Sequence, residues 1–168
     1  MNKNAHKYMK KIISIIIMLM CFASGFAQVK YSKGSDKVIM NVVTEDSLCY
    51  LLVNFSSEKK KMMDTPKLLI RLFNDEVISL EGDLLYISEK AEAGVMVGYM
   101  MIPISKKISD AKFLISRSQI DKLSVGVKKI RLNTSPKFHE KEWSKDKIGK
   151  KLYESFSNAI PNSFNDNF

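Results

Sequence analysis

The chain is 168 residues long, which is the length of one ordinary domain and allows a substantial hydrophobic core. Its 27 basic and 18 acidic side chains give a net charge of +9, which favours anionic partners. With only two cysteines, the chain cannot be a disulfide-rich scaffold.

The first element is an apolar leader with the three parts of a secretory signal peptide. Four lysines precede it without any acidic residue: Lys3, Lys7, Lys10 and Lys11. Its apolar run, from Ile12 to Phe22, is about half of the ~20 residues that span a bilayer. The small residues of GFA, ending at Ala27, are typical of a cleavage site. We therefore expect cleavage after Ala27, export to the periplasm or cell surface, and no transmembrane anchor after cleavage.

Removal of residues 1–27 leaves 23 basic and 18 acidic side chains, a net charge of +5, with one cysteine and one histidine. This composition excludes an internal disulfide and zinc sites with four Cys and His ligands, and no metal site or cofactor is predicted. Cys49 lies in the apolar run LCYLLVNF and is interpreted as a small buried residue, with an intermolecular disulfide left open. His139 lies in the polar stretch SPKFHEKEW, and we expect it to be exposed in a linker.

Most of the chain from residue 38 to residue 132 has strand patterns. In KLLIRLF the aliphatic side chains share one face and Arg71 points to the other, and the polar FNDEV that follows predicts a hairpin over residues 67–80. Gly82-Asp83 is predicted to turn the chain again. The predicted strands are Val38–Val43, Leu48–Phe55, Lys67–Phe73, Val77–Leu80, Leu84–Ser88, Val95–Ile102, Lys112–Ser116 and the segment VKKIRL.

Two helices are predicted after these strands. The segment SRSQIDKLSVG has serine caps and a final glycine, which fits one or two helical turns. An amphipathic helix is predicted over about residues 144–160, with an apolar face formed by Ile148, Leu152, Phe156 and Ala159. Gly149 lies inside this helix, where we expect it to cost about 1 kcal/mol relative to alanine.

These elements predict one mainly β domain over residues 28–168. The expected fold is an antiparallel β-sandwich or open barrel with a short helix and a C-terminal amphipathic helix. The alternative is an α+β fold with helices on one face of the sheet.

Positive charge is concentrated in residues 128–151, which contain nine basic and three acidic side chains. Such a concentration attracts anionic partners, but the solvated faces of a strand and a helix produce the same pattern, and this second interpretation is favoured. Eight of the nine cations are lysines, whereas bidentate phosphate recognition usually uses arginine. A binding role therefore favours a cell-envelope protein or an anionic glycan or lipid surface over nucleic acid. The residues assigned to it are Lys129, Arg131, Lys147, Lys150 and Lys151.

The leading interpretation is an exported, non-enzymatic binding domain, without any assigned catalytic residue. One alternative is a carboxylate-dependent hydrolase, which would use a pair of the acids near the predicted turns: Asp75, Glu76, Glu81 and Asp83. Another is a carrier of small lipophilic ligands, with an apolar cavity lined by Met96, Met100 and Tyr86. For Val95–Ile102, the favoured interpretation is a central strand that is covered on both faces.

A loose resemblance adds to this reading. The segments ISRSQIDKL, GVKKIRLNT and DKIGKKLYESF, with a composition rich in Lys, Asn and Ile, resemble those of small secreted proteins from Gram-negative bacteria. The resemblance lies mainly in the C-terminal half of the chain. It implies no catalytic or binding residue.

Overall fold

The computed structural model describes residues 28–159. The predicted signal peptide, residues 1–27, and the end of the chain, residues 160–168, lie outside the described residues. Between residues 28 and 159, no helix has both the length and the apolar character needed to cross a bilayer.

The described residues form ten strands and two α-helices. The helices are α1 (Arg117–Lys122), which continues into a 3₁₀ turn (Leu123–Val125), and α2 (Gly149–Ala159). The strands are β1 (Val29–Lys33), β2 (Asp36–Glu45), β3 (Leu48–Ser57), β4 (Lys61–Met62), β5 (Lys67–Leu72), β6 (Val77–Val97), β7 (Met100–Ile115), β8 (Val127–Leu132), β9 (Thr134–Ser135) and β10 (His139–Glu142).

Eight of these strands form one antiparallel sheet in the order β1-β2-β3-β7-β6-β5-β8-β10, and β4 pairs with β9. The sheet is nearly closed, which fits a barrel or a sandwich, and α2 follows it at the C-terminal end. The prediction of a mainly β fold with an antiparallel sheet and a C-terminal helix is therefore confirmed.

Alternation of apolar and polar side chains explains how the sheet encloses its core. In β5 the predicted inward residues are buried and Arg71 is exposed, and β5 pairs with the start of β6 in the predicted hairpin. In β8, Ile130 and Leu132 are buried between exposed or half-buried basic residues, as predicted. One hydrophobic cluster fills the interior, and its largest fully buried side chains are Phe55, Phe113 and Phe156.

Both predicted helices are found, and each is capped by a side chain. At α1 the Ser116 hydroxyl accepts a hydrogen bond from the Gln119 backbone N–H, and the Gln119 side chain accepts one from the Ser116 N–H. Helix α2 begins later than predicted because Asp146 caps it: Oδ1 accepts from the Gly149 N–H at 2.8 Å and Oδ2 from the Lys150 N–H at 3.0 Å. The predicted apolar face of α2 is buried as expected.

Gly149 is the first residue of α2 and does not lie in its interior. A Cβ atom at this position would lie 2.5 Å from the backbone nitrogen of Val127. The glycine therefore allows the helix start to pack directly against β8, a benefit that helix propensity does not include.

Two predictions for β6 and β7 are wrong. Gly82-Asp83 does not turn the chain, since β6 runs without interruption from Val77 to Val97. Gly82 is needed because a Cβ there would lie 2.6 Å from the Phe113 ring of β7. Residues 95–102 do not form a central strand either: they are the end of the β6–β7 hairpin, and their described side chains are exposed.

This hairpin extends beyond the rest of the sheet. The ladder with β5 ends at Glu81 of β6, and the ladder with β3 begins at Lys107 of β7. Between these points, within the described part of the chain, β6 and β7 pair only with each other. We call residues 88–107 the ribbon: its base, at Lys107, still pairs with Ser57 of β3, and the rest of it has two strands.

Candidate functional site

The two edges of the sheet meet along a seam, which we define as the contact of β1 with β10 and Trp143. Tyr31 of β1 stacks on His139 of β10 with ring centroids 5.8 Å apart, and it meets Trp143 edge-on at 5.2 Å. Phe55 of β3 also contacts the imidazole, at 5.2 Å. The ladders of the described strands do not join β1 to β10, so aromatic side chains close the sheet here.

Asp36 of β2, a buried carboxylate, connects the seam to the neighbouring strands through hydrogen bonds. Its Oδ2 accepts hydrogen bonds from Lys60 Nζ at 2.7 Å and from His139 Nδ1 at 2.9 Å. Its Oδ1 accepts one from Ser57 Oγ at 2.6 Å. Burial acts to raise the pKa of Asp36, but these three hydrogen bonds outweigh it and lower the pKa. The ionised carboxylate thus links β2, β3, β10 and the segment that follows β3.

The expectation that His139 is exposed in a linker is wrong. Its side chain is 0% exposed, because His139 lies opposite the buried Leu132 in the β8–β10 ladder. Nδ1 carries the proton, since the Asp36 carboxylate can only accept. Burial lowers the pKa of His139, and the Asp36 carboxylate, which acts to raise it, does not compensate. The imidazole is therefore neutral at pH 7.

The group of Ser57, Asp36 and His139 does not have the geometry of a nucleophilic triad. In a triad the serine donates to the imidazole and the carboxylate orients the other ring nitrogen. Here the Ser57 hydroxyl donates to Asp36, and the imidazole Nε2 is buried without a hydrogen-bond partner among the described residues. We assign a structural role to this group.

An open groove of about 480 Å³ lies beside the seam, and we call it the basic groove. Residues of β1, β10, the segment after β10 and α2 line it: Lys30, Tyr31, Ser32, Lys141, Glu142, Trp143, Ser144, Lys147, Ile148 and Lys151. Among residues 28–159, Glu142 is within 4 Å of Lys129, and no ion pair is found for the four lining lysines. The groove therefore carries four positive charges and one shared negative charge.

The structure separates the five basic residues that the sequence assigned to an anionic surface. Lys129 and Arg131 project from β8 and form ion pairs with Glu140 at 3.2 and 3.0 Å. Lys147 and Lys151 line the basic groove, whereas Lys150 is exposed outside its lining. The predicted set is therefore not one cluster, because β8 has its own acidic partners on β10.

Two of the groove lysines, Lys30 and Lys141, are not among the residues that the sequence assigned to an anionic surface. Lys30 is far from the basic segment along the chain, and only closure of the sheet brings β1 beside β10. Lys141 belongs to the basic segment of residues 128–151, but the sequence pattern does not predict β10 as a strand and therefore does not indicate which way this lysine faces. Its position opposite Ile130 in the β8–β10 ladder could not be read from local charge.

A second recess of about 730 Å³ lies at the other end of β1. It is lined by Lys33, Met63, Arg131, Asn133, Thr134, Ser135, Pro136, Lys137, Phe138 and Glu140. Arg131 lies 5.5 Å from the Phe138 ring centroid and pairs with Glu140. Part of its charge is therefore neutralised within the protein, in contrast to the basic groove.

The four carboxylates considered for hydrolysis do not converge on a pocket. Asp75 pairs with Lys128 at 3.0 Å and Glu76 with Lys122 at 3.5 Å at the β5–β6 turn. Glu81 pairs with Lys67 across the ladder, and Asp83 lies exposed further along β6. None of the four lines either groove described above.

The side chains proposed for a lipophilic cavity lie on the protein surface. Met96, Met100 and Tyr86 are 60%, 73% and 56% exposed. They belong to the β6–β7 hairpin, so they do not enclose a volume within the sheet. Cys49 of β3 is half-buried and packs against the core, and burial raises the pKa of its thiol.

Comparison of the chain with known proteins identifies no relative that could assign a function to this site. No protein-family model matches the chain, and no curated protein or solved structure is significantly similar to it. Within the described residues, no group of three or more His, Cys, Asp and Glu side chains is placed to hold a metal ion.

Proposed function

We propose that the protein is an exported, non-enzymatic domain that binds an anionic glycan in the basic groove. The observation that supports this proposal is the convergence of four lysines on one concave surface: Lys30, Lys141, Lys147 and Lys151. Gathered like charges repel one another and create a positive potential, which an anionic ligand would neutralise.

The shape and chemistry of the groove favour a glycan over the other anionic partners. Its volume lies within the ~300–1,000 Å³ typical of sites for small ligands, whereas a bilayer presents a flat surface. Its cations are lysines, which act as flexible point charges and suit carboxylate or sulfate groups spaced along a sugar chain. Tyr31 and Trp143 add aromatic edges beside these charges.

The proposal predicts that two groove lysines determine binding to an anionic polysaccharide. We expect Lys147→Gln combined with Lys151→Gln to weaken binding to heparin, used as the probe, by about tenfold or more, because ionic contacts in the groove are lost. The affinity of the unaltered protein should fall steeply as salt rises. Isothermal titration calorimetry at two ionic strengths measures both effects.

The matched control is Lys59→Gln with Lys61→Gln, which removes the same charge from two exposed positions outside the groove. We expect this control to change the affinity by less than about twofold, since surface charges far from a ligand are largely screened. Equal weakening by the two double variants would mean that heparin responds to net charge, and the groove would lose its assignment.

Export is part of the proposal and has its own test. The leader pattern predicts that protein isolated from its native cell begins at Gln28. Mass spectrometry of the intact protein measures this directly. An unprocessed N-terminus would place the chain with cytoplasmic partners and remove the preference for a glycan.

A further inference from the structure

The end of the ribbon carries the largest concentration of exposed apolar side chains in the described part of the chain. Tyr99 is 103% exposed, and its neighbours in the hairpin end are 50–73% exposed: Val95, Met96, Val97, Met100, Met101 and Ile102. Residues 93–105 contain no Asp, Glu, Lys or Arg. We call residues 95–102 the tip.

The backbone of the tip has regular strand pairing and a tight turn. Val97 pairs with Met100, Met96 with Met101 and Val95 with Ile102, which gives three successive cross-strand pairs. Gly98 has φ +63° at the first of the two turn residues, where a type II′ hairpin turn requires glycine. The tip is therefore a hairpin with a tight turn.

Both faces of the tip are apolar. Successive residues of a strand point to opposite faces, so Met96 and Met101 lie on one face, and the flanking pairs lie on the other. A flat protein surface would cover only one of these faces. A hydrocarbon phase surrounds whatever enters it and covers both.

We propose that the tip inserts into the interface of a lipid bilayer that contains anionic lipids. Three cross-strand pairs span about 10 Å along the ribbon. This matches the ~5–10 Å depth of interfacial insertion and is far below the ~9–11 residues per strand that cross a membrane. A two-stranded ribbon also leaves outward N–H and C=O groups on both edges, which the hydrocarbon core cannot satisfy. Insertion therefore stops at the interface.

Charge on the ribbon supports an anionic bilayer. Beyond the uncharged segment, Glu92 lies opposite Ile104, Lys90 opposite Lys106 and Glu89 opposite Lys107, so the ribbon carries three lysines and two glutamates. These lysines lie about 25 Å from the turn along the strands, which is about 15 Å beyond an inserted depth of ~10 Å and therefore on the aqueous side of the headgroups. Lysine at this level is attracted to acidic lipids within a Debye length of ~8–10 Å.

Co-sedimentation with vesicles tests the insertion. The full protein should bind vesicles of equal parts phosphatidylcholine and phosphatidylglycerol, and bind pure phosphatidylcholine more weakly. We expect Tyr99→Ser with Met100→Ser to reduce partitioning into the mixed vesicles by about tenfold or more, because two exposed apolar side chains no longer enter the interface. The matched control is Val77→Ser with Leu114→Ser, two apolar positions on the body that are 52% and 51% exposed, and it should retain binding.

A tryptophan at the turn reports its environment independently. The chain has one tryptophan, Trp143, which is 8% exposed and lines the basic groove, so the emission of the unaltered protein with the same vesicles is measured and subtracted. In Tyr99→Trp, we expect the added emission to shift to shorter wavelength with mixed vesicles and to be quenched by brominated acyl chains. No shift and no quenching would overturn the proposal.

Two other results would also overturn it. If Lys147→Gln with Lys151→Gln abolishes vesicle binding while the serine variant of the tip retains it, the basic groove is the membrane contact. If the protein ignores vesicles but forms a concentration-dependent oligomer that the serine variant abolishes, the tip covers a second copy of the chain. Because heparin binding is measured separately, failure here leaves the proposed glycan site intact.

Discussion

The seam and the tip distribute polar and apolar side chains in opposite ways. At the seam, Asp36 and His139 are buried in the protein, whereas at the tip, Tyr99 and Met100 are exposed to water. The charge at the seam is compensated, since both oxygens of Asp36 accept hydrogen bonds. The exposed apolar surface of the tip has no such compensation within the described chain. Folding therefore accounts for the seam, whereas the proposed contact with a bilayer would account for the tip.

Removal of the buried carboxylate would test the seam most severely. We expect Asp36→Ala to lower the free energy of unfolding by about 3 kcal/mol, because Lys60 and His139 lose their common partner. Urea denaturation followed by circular dichroism measures this change. The control is Glu81→Ala, which breaks an exposed pair with Lys67 and should cost less than about 1 kcal/mol. Similar losses in the two variants would show that the seam network contributes no more than a surface pair.

The sequence predicted the parts of the fold that depend on local pattern. The alternation in β5 and β8 and the apolar face of α2 appear as expected, because each pattern states which face is buried. The prediction of a central strand over residues 95–102 is wrong for a related reason. An apolar run normally indicates burial, and nothing local to residues 95–102 shows that no other strand flanks them.

The seam could not be predicted because it depends on sheet closure. His139 has charged neighbours in sequence, so its local pattern indicates exposure, yet pairing with β8 turns it inward. Its partner, Asp36, lies 103 positions earlier in the chain. Lys30 enters the groove for the same reason, and a single sequence carries no signal for that contact.

The titration of His139 provides a smaller perturbation of the seam. Its pKa in the folded protein is below the unfolded value of 6.5, so the unfolded chain binds more protons as pH falls through this value. We expect the free energy of unfolding to decrease from pH 7.5 to pH 5.5, by at most about 1.4 kcal/mol, because the unfolded chain takes up a proton on the imidazole more readily than the folded chain does. Asp36, with its lowered pKa, stays ionised throughout this window, and its own contribution is lost only in stronger acid.

Urea denaturation at several pH values measures the slope of the free energy of unfolding against pH. We expect this slope to be smaller in His139→Phe. Asp110 would act in the opposite direction because burial, opposed by a hydrogen bond from Asn54, raises its pKa, and Asp110→Asn removes this contribution. His139 is the one histidine of the chain that begins at Gln28, so no second imidazole contributes to the slope. A slope that persists in His139→Phe would assign the titration to another group.

The smallest effect is expected at the tip. Tyr99→Ser with Met100→Ser should change the free energy of unfolding by less than about 0.5 kcal/mol, because exposed side chains without packing partners contribute little to folding. Urea denaturation at two protein concentrations measures it. A loss above about 1 kcal/mol would show that the tip is packed in the free protein: against the body if the loss is independent of concentration, and against a second copy if it grows with concentration. An unchanged stability, together with lost vesicle binding, would separate the two regions completely, since the seam would then stabilise the fold and the tip would act only on its partner.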